Sequence, residues 1–409
     1  MITVEMFPAG NGDSILVCFD QQVILIDGGY TSTYRDYLKP RLKELDAQGI
    51  RLSKFIVTHI DSDHITGAID FIEDNGPAHN PSVIGIDEVW YNSYRHLQFD
   101  NKAPGTFHGQ VPDIEIKGAL KSKEADIRDQ VVSFSQGTSM GSLLLKNKYA
   151  WNTTFEQKAV KSDLPLKIQL GSGLKFTLLG PTGTALNNLA EDWKGFLQKK
   201  FVGQLNDDAW FDDAFELMME EKHQAEMESE AEPEERLVAG SEDWVVDNSP
   251  EWKKEDQSLT NGSSIIFLAE YDGKKLLFLG DAIPGQVANA VKQLDYWNGN
   301  SVHLDLVKVA HHGAWPNNSP ALIDMLQAER YLISTNGYRH HHPGLSTLSR
   351  IVATNGPHAK KNLIFNYAQG DRFSDLKLQS MKDKYHYDLF WPEVDQWGNG
   401  KDGYVKVEL

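Results

Sequence analysis

Seven of the fourteen histidines sit in three short segments: His59 and His64, His311 and His312, and His340, His341 and His342. Each follows an apolar run that reads as a strand, at 54–58, 304–310 and 330–334, and strand ends are where an α/β sheet presents its ligand-binding loops. The first segment, Thr58-His59-Ile60-Asp61-Ser62-Asp63-His64, is the densest, with two imidazoles and two carboxylates in a few residues. Residues 59, 61 and 63 share one side of an extended loop, a pattern that suits a divalent-metal site. A polar turn with Asp63 as a helix cap would explain one carboxylate but not the set. Asp281 also stands at a strand end, in Phe278-Leu279-Gly280-Asp281. Alone it reads as a turn residue; beside the histidines it becomes a candidate bridging ligand.

The text between these segments alternates strand and helix. Residues 14–19 and 22–27 are β-branched runs bounded by Gly10 and Gly12 before and Gly28 and Gly29 after, the pattern of a hairpin. Tyr37, Leu38, Leu42 and Leu45 follow near helical spacing, and 54–58 is then a buried strand. A strand is expected at 88–91, and strands return at 166–170, 175–179, 264–270 and 275–279, the last two joined by a Tyr271-Asp272-Gly273 turn. The order points to an α/β sandwich. Trp90, Tyr91 and Tyr94 read as core in preference to a base-stacking platform.

Composition narrows the field. The chain has 409 residues, enough for a large core, and 58 acidic against 40 basic residues give a net charge of −18, unlike a generic cationic nucleic-acid binder. The charge is uneven: residues 191–256 hold 21 acidic and 7 basic side chains, leaving 37 and 33 elsewhere. That stretch includes the low-complexity run 226–235 and is expected to be helical. With Cys18 as the single cysteine, neither disulfides nor a cysteine cage for zinc are available. No run is apolar enough for a membrane span, and the opening MITVEMFPAG lacks a signal-peptide pattern, so a cytoplasmic protein without membrane attachment is expected.

Together these motifs resemble the metallo-β-lactamase superfamily, and within it the soluble hydrolase domain of ComEC-type DNA-uptake proteins. The quoted matches are Gly10-Asn11-Gly12-Asp13, Leu25-Ile26-Asp27-Gly28-Gly29, His59 to His64, Gly280-Asp281, Lys308-Val309-Ala310-His311-His312-Gly313, and Ser334-Thr335-Asn336-Gly337-Tyr338 to Pro343. Asp61 stands where most of the superfamily has a second histidine. The resemblance covers about half of the chain, roughly 1–75, 165–182 and 259–350. It implies an αββα sandwich with a helical acidic insertion. The expected organisation is a hydrolase domain over 1–350, interrupted at 76–164 and by the acidic segment 187–258, with 351–409 as an extension packed on the core.

The resemblance also implies two adjacent cation positions. One takes His59, Asp61 and Asn261, the other Asp63, His64 and His340, with Asp281 bridging; His342 is the alternative register to His340. Asp13 and Asp27 are read as orienting residues, with a plain turn role equally open for Asp13. His311 and His312 are candidates to face substrate and donate a proton, one of the pair being expected to be buried. Arg339 and His342 are candidate substrate contacts. A carboxylate and an amide in place of imidazoles make the first position oxygen-rich, favouring Mn²⁺ or Mg²⁺, whereas the second suits Zn²⁺ or Mn²⁺. The expected activity is metal-dependent hydrolysis of a phosphodiester in DNA or RNA, with Asp63 orienting the attacking water. Two alternatives stay open: hydrolysis of a small or cyclic nucleotide, and a partner-dependent subunit of a multi-protein system, anti-phage systems among them, docking through 187–258.

Overall fold

The computed structural model describes residues 1–97, 140–171, 173–200, 243–247, 250–338, 340–354, 360–368, 373, 375–392 and 403–409. The run 226–235, the middle of the 76–164 insertion and Arg339 lie outside the described residues. Strands β1 (Ile2–Met6), β2 (Ile15–Phe19) and β3 (Gln22–Ile26) form an antiparallel meander, which β4 (Leu52–Ile56) and β5 (Val89–Trp90) extend in parallel. A second sheet holds β6 (Leu166–Leu170), β7 (Leu174–Gly180), β8 (Ile266–Tyr271) and β9 (Lys274–Phe278) as antiparallel neighbours. It continues in parallel through β10 (Val302–Lys308), β11 (Leu326–Ile333), β12 (Lys361–Phe365) and β13 (Tyr387–Phe390).

The pleat explains how the sheets stack. In β2 and β3, Ile15, Val17, Phe19, Ile24 and Ile26 turn to one hydrophobic cluster while Leu16, Val23 and Leu25 turn to another. Strands apolar on both faces must be covered on both. The shared cluster lies between the sheets and receives Leu174, Phe176 and Leu178 from β7 and Leu276 and Phe278 from β9. Phe176, Phe267 and Phe278 stack across three strands there, with centroids 4.6 and 5.2 Å apart. Helices cover the outer faces: α1 (Lys39–Ala47) and α2 (Ser62–Asn75) on the first sheet, and α3 (Pro284–Val291), α4 (Pro320–Met325) and α5 (Leu345–Ala353) on the second. The architecture is the αββα sandwich.

Described residues after 350 add strands to both sheets. β12 and β13 finish the second sheet, and β14 (Val405–Glu408) pairs with β1 at the edge of the first. Trp90 is fully buried and Tyr91 stacks on Trp151, so both are core. Among the described residues no helix is long and apolar enough to cross a membrane.

One close approach sets the entry of α2. The Gly28 N–H donates to the His64 carbonyl (2.9 Å) and the Gly67 N–H to the Gly29 carbonyl (2.7 Å), which draws the helix onto the turn after β3. A Cβ at Gly67 would lie 2.2 Å from the Gly28 carbonyl oxygen, and one at Gly28 would lie 2.2 Å from the Ala68 nitrogen. Backbone cannot yield as a flexible side chain does. Gly67→Ala is therefore expected to destabilise the fold by about 1–3 kcal/mol and to lower metal uptake, because Asp63 and His64 ride on that helix. Thermal unfolding and metal titration of the variant test both effects.

Candidate metal centre

The carboxyl ends of β3, β4, β9, β10 and β11 meet at the seam between the sheets. Asp27 follows β3, His59 follows β4, Asp281 follows β9, His311 and His312 follow β10, and Ser334 follows β11. The Ile265 N–H donates to the Thr58 carbonyl (2.9 Å) and the Ser334 hydroxyl to the Gly12 carbonyl (2.6 Å), binding the two sheets at this point.

Hydrogen bonds fix which nitrogen each imidazole presents. His64 Nδ1 lies 2.9 Å from Asp27 Oδ2 and His312 Nδ1 lies 2.9 Å from the Ser334 carbonyl; both partners accept only, so each Nδ1 carries a proton. The Thr58 hydroxyl spends its proton on Asp27 (2.7 Å) and so accepts from His59 Nδ1 at 3.0 Å. The Asn317 amide nitrogen faces the Asp256 carboxylate and the Asp281 carbonyl, which leaves Asn317 Oδ1 to accept from His311 Nδ1 at 2.8 Å. With Nδ1 the protonated atom in each ring, Nε2 is the atom that each would present to a cation.

Those four Nε2 atoms converge on one oxygen. Asp281 Oδ2 lies 3.4 Å from His64, 3.5 Å from His312, and 3.7 Å from His59 and from His311. Burial pushes the Asp281 carboxyl up, but the neighbouring His312, His64 and His311 outweigh it and hold it well below the ordinary carboxylate range. His59, His64 and Asp281 form one group whose ligand atoms can meet a single ion; Asp63, His64 and His312 form a second. The Nε2 atoms of His59, His64 and His312, Asp281 Oδ1 and Asn261 Oδ1 are buried without a hydrogen-bond partner. Buried polar atoms left without protein partners are what a cation site presents before loading. The residues present thus fit divalent cations, with His64 common to both groups and Asp281 Oδ2 within 3.5 Å of His312 in the second.

The surrounding residues hold this set in place. Asp27 accepts from the Thr58 N–H and hydroxyl and from His64 Nδ1. Asp13 pairs with the fully buried Lys308 and lies 3.5 Å from His312 Nδ1, so it is more than a turn former. Asp61 stands at the residue before α2, its carboxylate turned away from the helix end, 3.5 Å from His59 Nε2 and accepting from the Thr260 hydroxyl. Asn261 donates to Asp256 (2.7 Å), which ties its nitrogen and leaves its oxygen for a ligand role.

The third histidine segment is placed differently from the sequence-based expectation. Among the described residues, no group of potential ligands contains His340; His312 stands beside Asp63, with Nε2 3.6 Å from Asp63 Oδ2. A strand terminus delivers His312 rigidly to the seam, whereas His340 stacks on His342, rings 5.7 Å apart. His312 is accordingly too enclosed to serve as a proton donor to substrate, and of the pair only His311, with 24% of its side chain exposed, is open. His342 is buried against His311, and burial together with His311, His312 and His340 holds its pKa well below the usual value. It is therefore not open to substrate. His311, His312 and Gly313 have φ of +43°, +54° and +90°, and two consecutive histidines in that region imply strain sustained by their partners.

Four contributors escaped the sequence reading. Asn11 donates to Asp63 Oδ2 (3.0 Å) and its oxygen accepts from the Tyr30 hydroxyl (3.1 Å). Asn11 lay within a quoted motif, whereas Tyr30, Asp256 and Asn317 carry no signal in spacing, because only the fold brings them near.

Residues 7–129 match the family model described as the metallo-beta-lactamase superfamily, and this segment of the chain is similar to that family. No curated protein matches the chain. Among solved structures it is similar to zinc-bound PqqB from Methylobacterium extorquens, at 10% identity over 100% of both chains with a TM-score of 0.38. It is also similar to Igni18, a metallo hydrolase of the archaeon Ignicoccus hospitalis KIN4/I, at 9% identity over 100% of both chains with a TM-score of 0.35. A long-form RNase Z from yeast matches at 12% identity over 100% of this chain and 47% of that one, TM-score 0.32. Likeness at these scores carries nothing about activity.

The ligand placement has a direct test. Protein exposed to Zn²⁺ or Mn²⁺ and desalted should hold two equivalents by elemental analysis. His312→Ala should lose about one equivalent and His340→Ala none; the reverse pattern would restore His340 as the ligand.

Proposed function

We propose that the protein is a metal-dependent hydrolase of phosphodiesters, acting on DNA or RNA and using two divalent cations, Zn²⁺ or Mn²⁺. The observation that carries this reading is the convergence of four imidazole Nε2 atoms on the Asp281 carboxylate, with Asp61 beside His59 and Asp63 beside His312. Within the proposed ligand set alone, the three carboxylates of Asp61, Asp63 and Asp281 would face two dications, so a phosphodiester oxygen could bind at the cations themselves. Divalent cations held there supply an activated water and neutralise charge gathering on a phosphoryl oxygen.

The remaining work falls to the chain's own side chains. His59, Asp61 and the Asn261 amide oxygen would hold one cation; Asp63, His64 and His312 would hold the other, with Asp281 shared. Asp63 is held by Asn11 in one orientation, so its carboxylate can accept a hydrogen bond from the attacking water and align it with phosphorus. His311 is anchored through Nδ1 to Asn317 and partly open, so its Nε2 can carry a proton to the leaving oxygen. The near balance of charge outside 191–256 removes a general repulsion toward a polyanion.

The reading is tested with full-length protein supplemented with Mn²⁺ or Zn²⁺ against single- and double-stranded DNA, RNA and bis-p-nitrophenyl phosphate. Asp63→Ala should lower turnover by about 10²–10⁴-fold. His311→Ala should slow substrates with poor leaving groups far more than the nitrophenyl ester, whose leaving oxygen needs no proton. Absence of turnover on every substrate would overturn the proposal, and unchanged activity in Asp63→Ala would overturn the assignment of the site.

A further inference from the structure

A cavity of about 270 Å³ opens beside the centre, between the Gly10 turn, the segment following β3 and the stretch following β11. Tyr30, Tyr37 and Tyr367 line it with Asn336, and Asp36 stands at its rim, engaged by Arg35. Its floor is held firmly. The Gly10 N–H donates to the Tyr367 hydroxyl (2.8 Å), and the Asn336 N–H donates to the Gly10 carbonyl (2.8 Å). Asn336 Oδ1 accepts from the Tyr338 N–H, while its amide nitrogen has no hydrogen bond among the described residues.

The chemistry of this wall differs from that of the centre next to it. No lysine or arginine is among the described lining residues, and one carboxylate is, so the cavity does not attract a phosphate. Three tyrosine rings and the Asn336 amide nitrogen suit an uncharged, planar, hydrogen-bonding ring. The volume lies just below the range of pockets for drug-sized ligands and is about that of one nucleoside. Two hydrogen bonds link a lining residue to Asp63: Tyr30 lines the cavity and its hydroxyl donates to Asn11, and Asn11 donates to Asp63.

We propose that this cavity is a nucleoside subsite, holding the base next to the scissile phosphodiester, and that Tyr30 and Asn11 are positioning residues linking its occupancy to the orientation of Asp63. The assignment rests on the phosphodiesterase reading and specifies how that activity would select nucleotides over simple diesters. The phosphate goes to the cations and the base to the tyrosines, so one step of the chain is held at both ends.

The test compares a dinucleoside monophosphate with an analogue lacking the base on one side, using the full chain and two blocking variants, Ala368→Trp and Ser32→Trp. Both positions line the cavity, are exposed and lie outside the metal-holding set. With metal-loaded protein, the base should improve kcat/KM at least about tenfold, mainly through KM, and each blocking variant should erase that advantage while leaving the base-free analogue unchanged. Tyr30→Phe should keep KM and lower kcat for both substrates. The same pair of ligands is also measured by calorimetry on chelator-treated protein, where the base should strengthen binding in the wild type and not in the variants. If nothing is turned over but this binding difference holds, the hydrolase reading falls and the subsite stands. A base preference that survives both blocking variants, or no preference in the wild type by either measurement, overturns the subsite.

Discussion

Asp13, Asp27, Asp63 and Asp281 are buried where two sheets meet, and withdrawing each carboxylate from water costs several kcal/mol unless something answers its charge. The structure around them is a set of such answers. Asp27 takes a backbone N–H, a hydroxyl and an imidazole; Asp13 takes Lys308; Asp63 takes the Asn11 amide. Asp281 is the least satisfied, since its Oδ1 has no protein partner and its Oδ2 faces four nitrogens that carry no proton when neutral. That imbalance is intelligible if cations complete the set, and it explains why so many elements end at one place.

Positioning comes from parallel strands whose carboxyl ends lie at one level in each sheet. β3 and β4 deliver Asp27 and His59, and β9, β10 and β11 deliver Asp281, His312 and the Ser334 carbonyl. The left-handed backbone at His311 and His312 aims neighbouring side chains differently: His312 turns inward to Asp63, and His311 toward the open side. A regular turn would not separate them in this way, and bonds from Asn318 to the Ala310 and Ala314 carbonyls hold the distortion.

Much of this was legible beforehand because short-range patterns encode it. The hairpin, the strand before His59, the β8–β9 pair and the turn at Asp281 follow from apolar alternation bounded by glycine, and the structure places them within two or three residues of the expected limits. Choosing among histidines was harder. His312 and His340 both follow strands, and only the tertiary path shows that one reaches Asp63 while the other stacks on His342. Nothing in the sequence around Lys308 signals burial, since a lone lysine at a strand end usually faces solvent, yet Asp13, almost three hundred residues earlier, makes its burial tolerable. The strands after residue 360 were hidden for a similar reason: their partners, β11 and β1, lie at other points of the chain.

The ligand groups draw from both sheets, with His59 and His64 on one and Asp281 and His312 on the other. An ion shared by His59 and Asp281 would tie together positions roughly 220 residues apart, closing a loop whose entropic cost in the unfolded chain is large but grows only slowly with length. It would act as a reversible cross-link, comparable in topology to a disulfide in a chain whose single cysteine cannot form one internally. The centre would then govern how long the two halves stay together, and chelation would show itself first in faster unfolding and proteolysis across the seam.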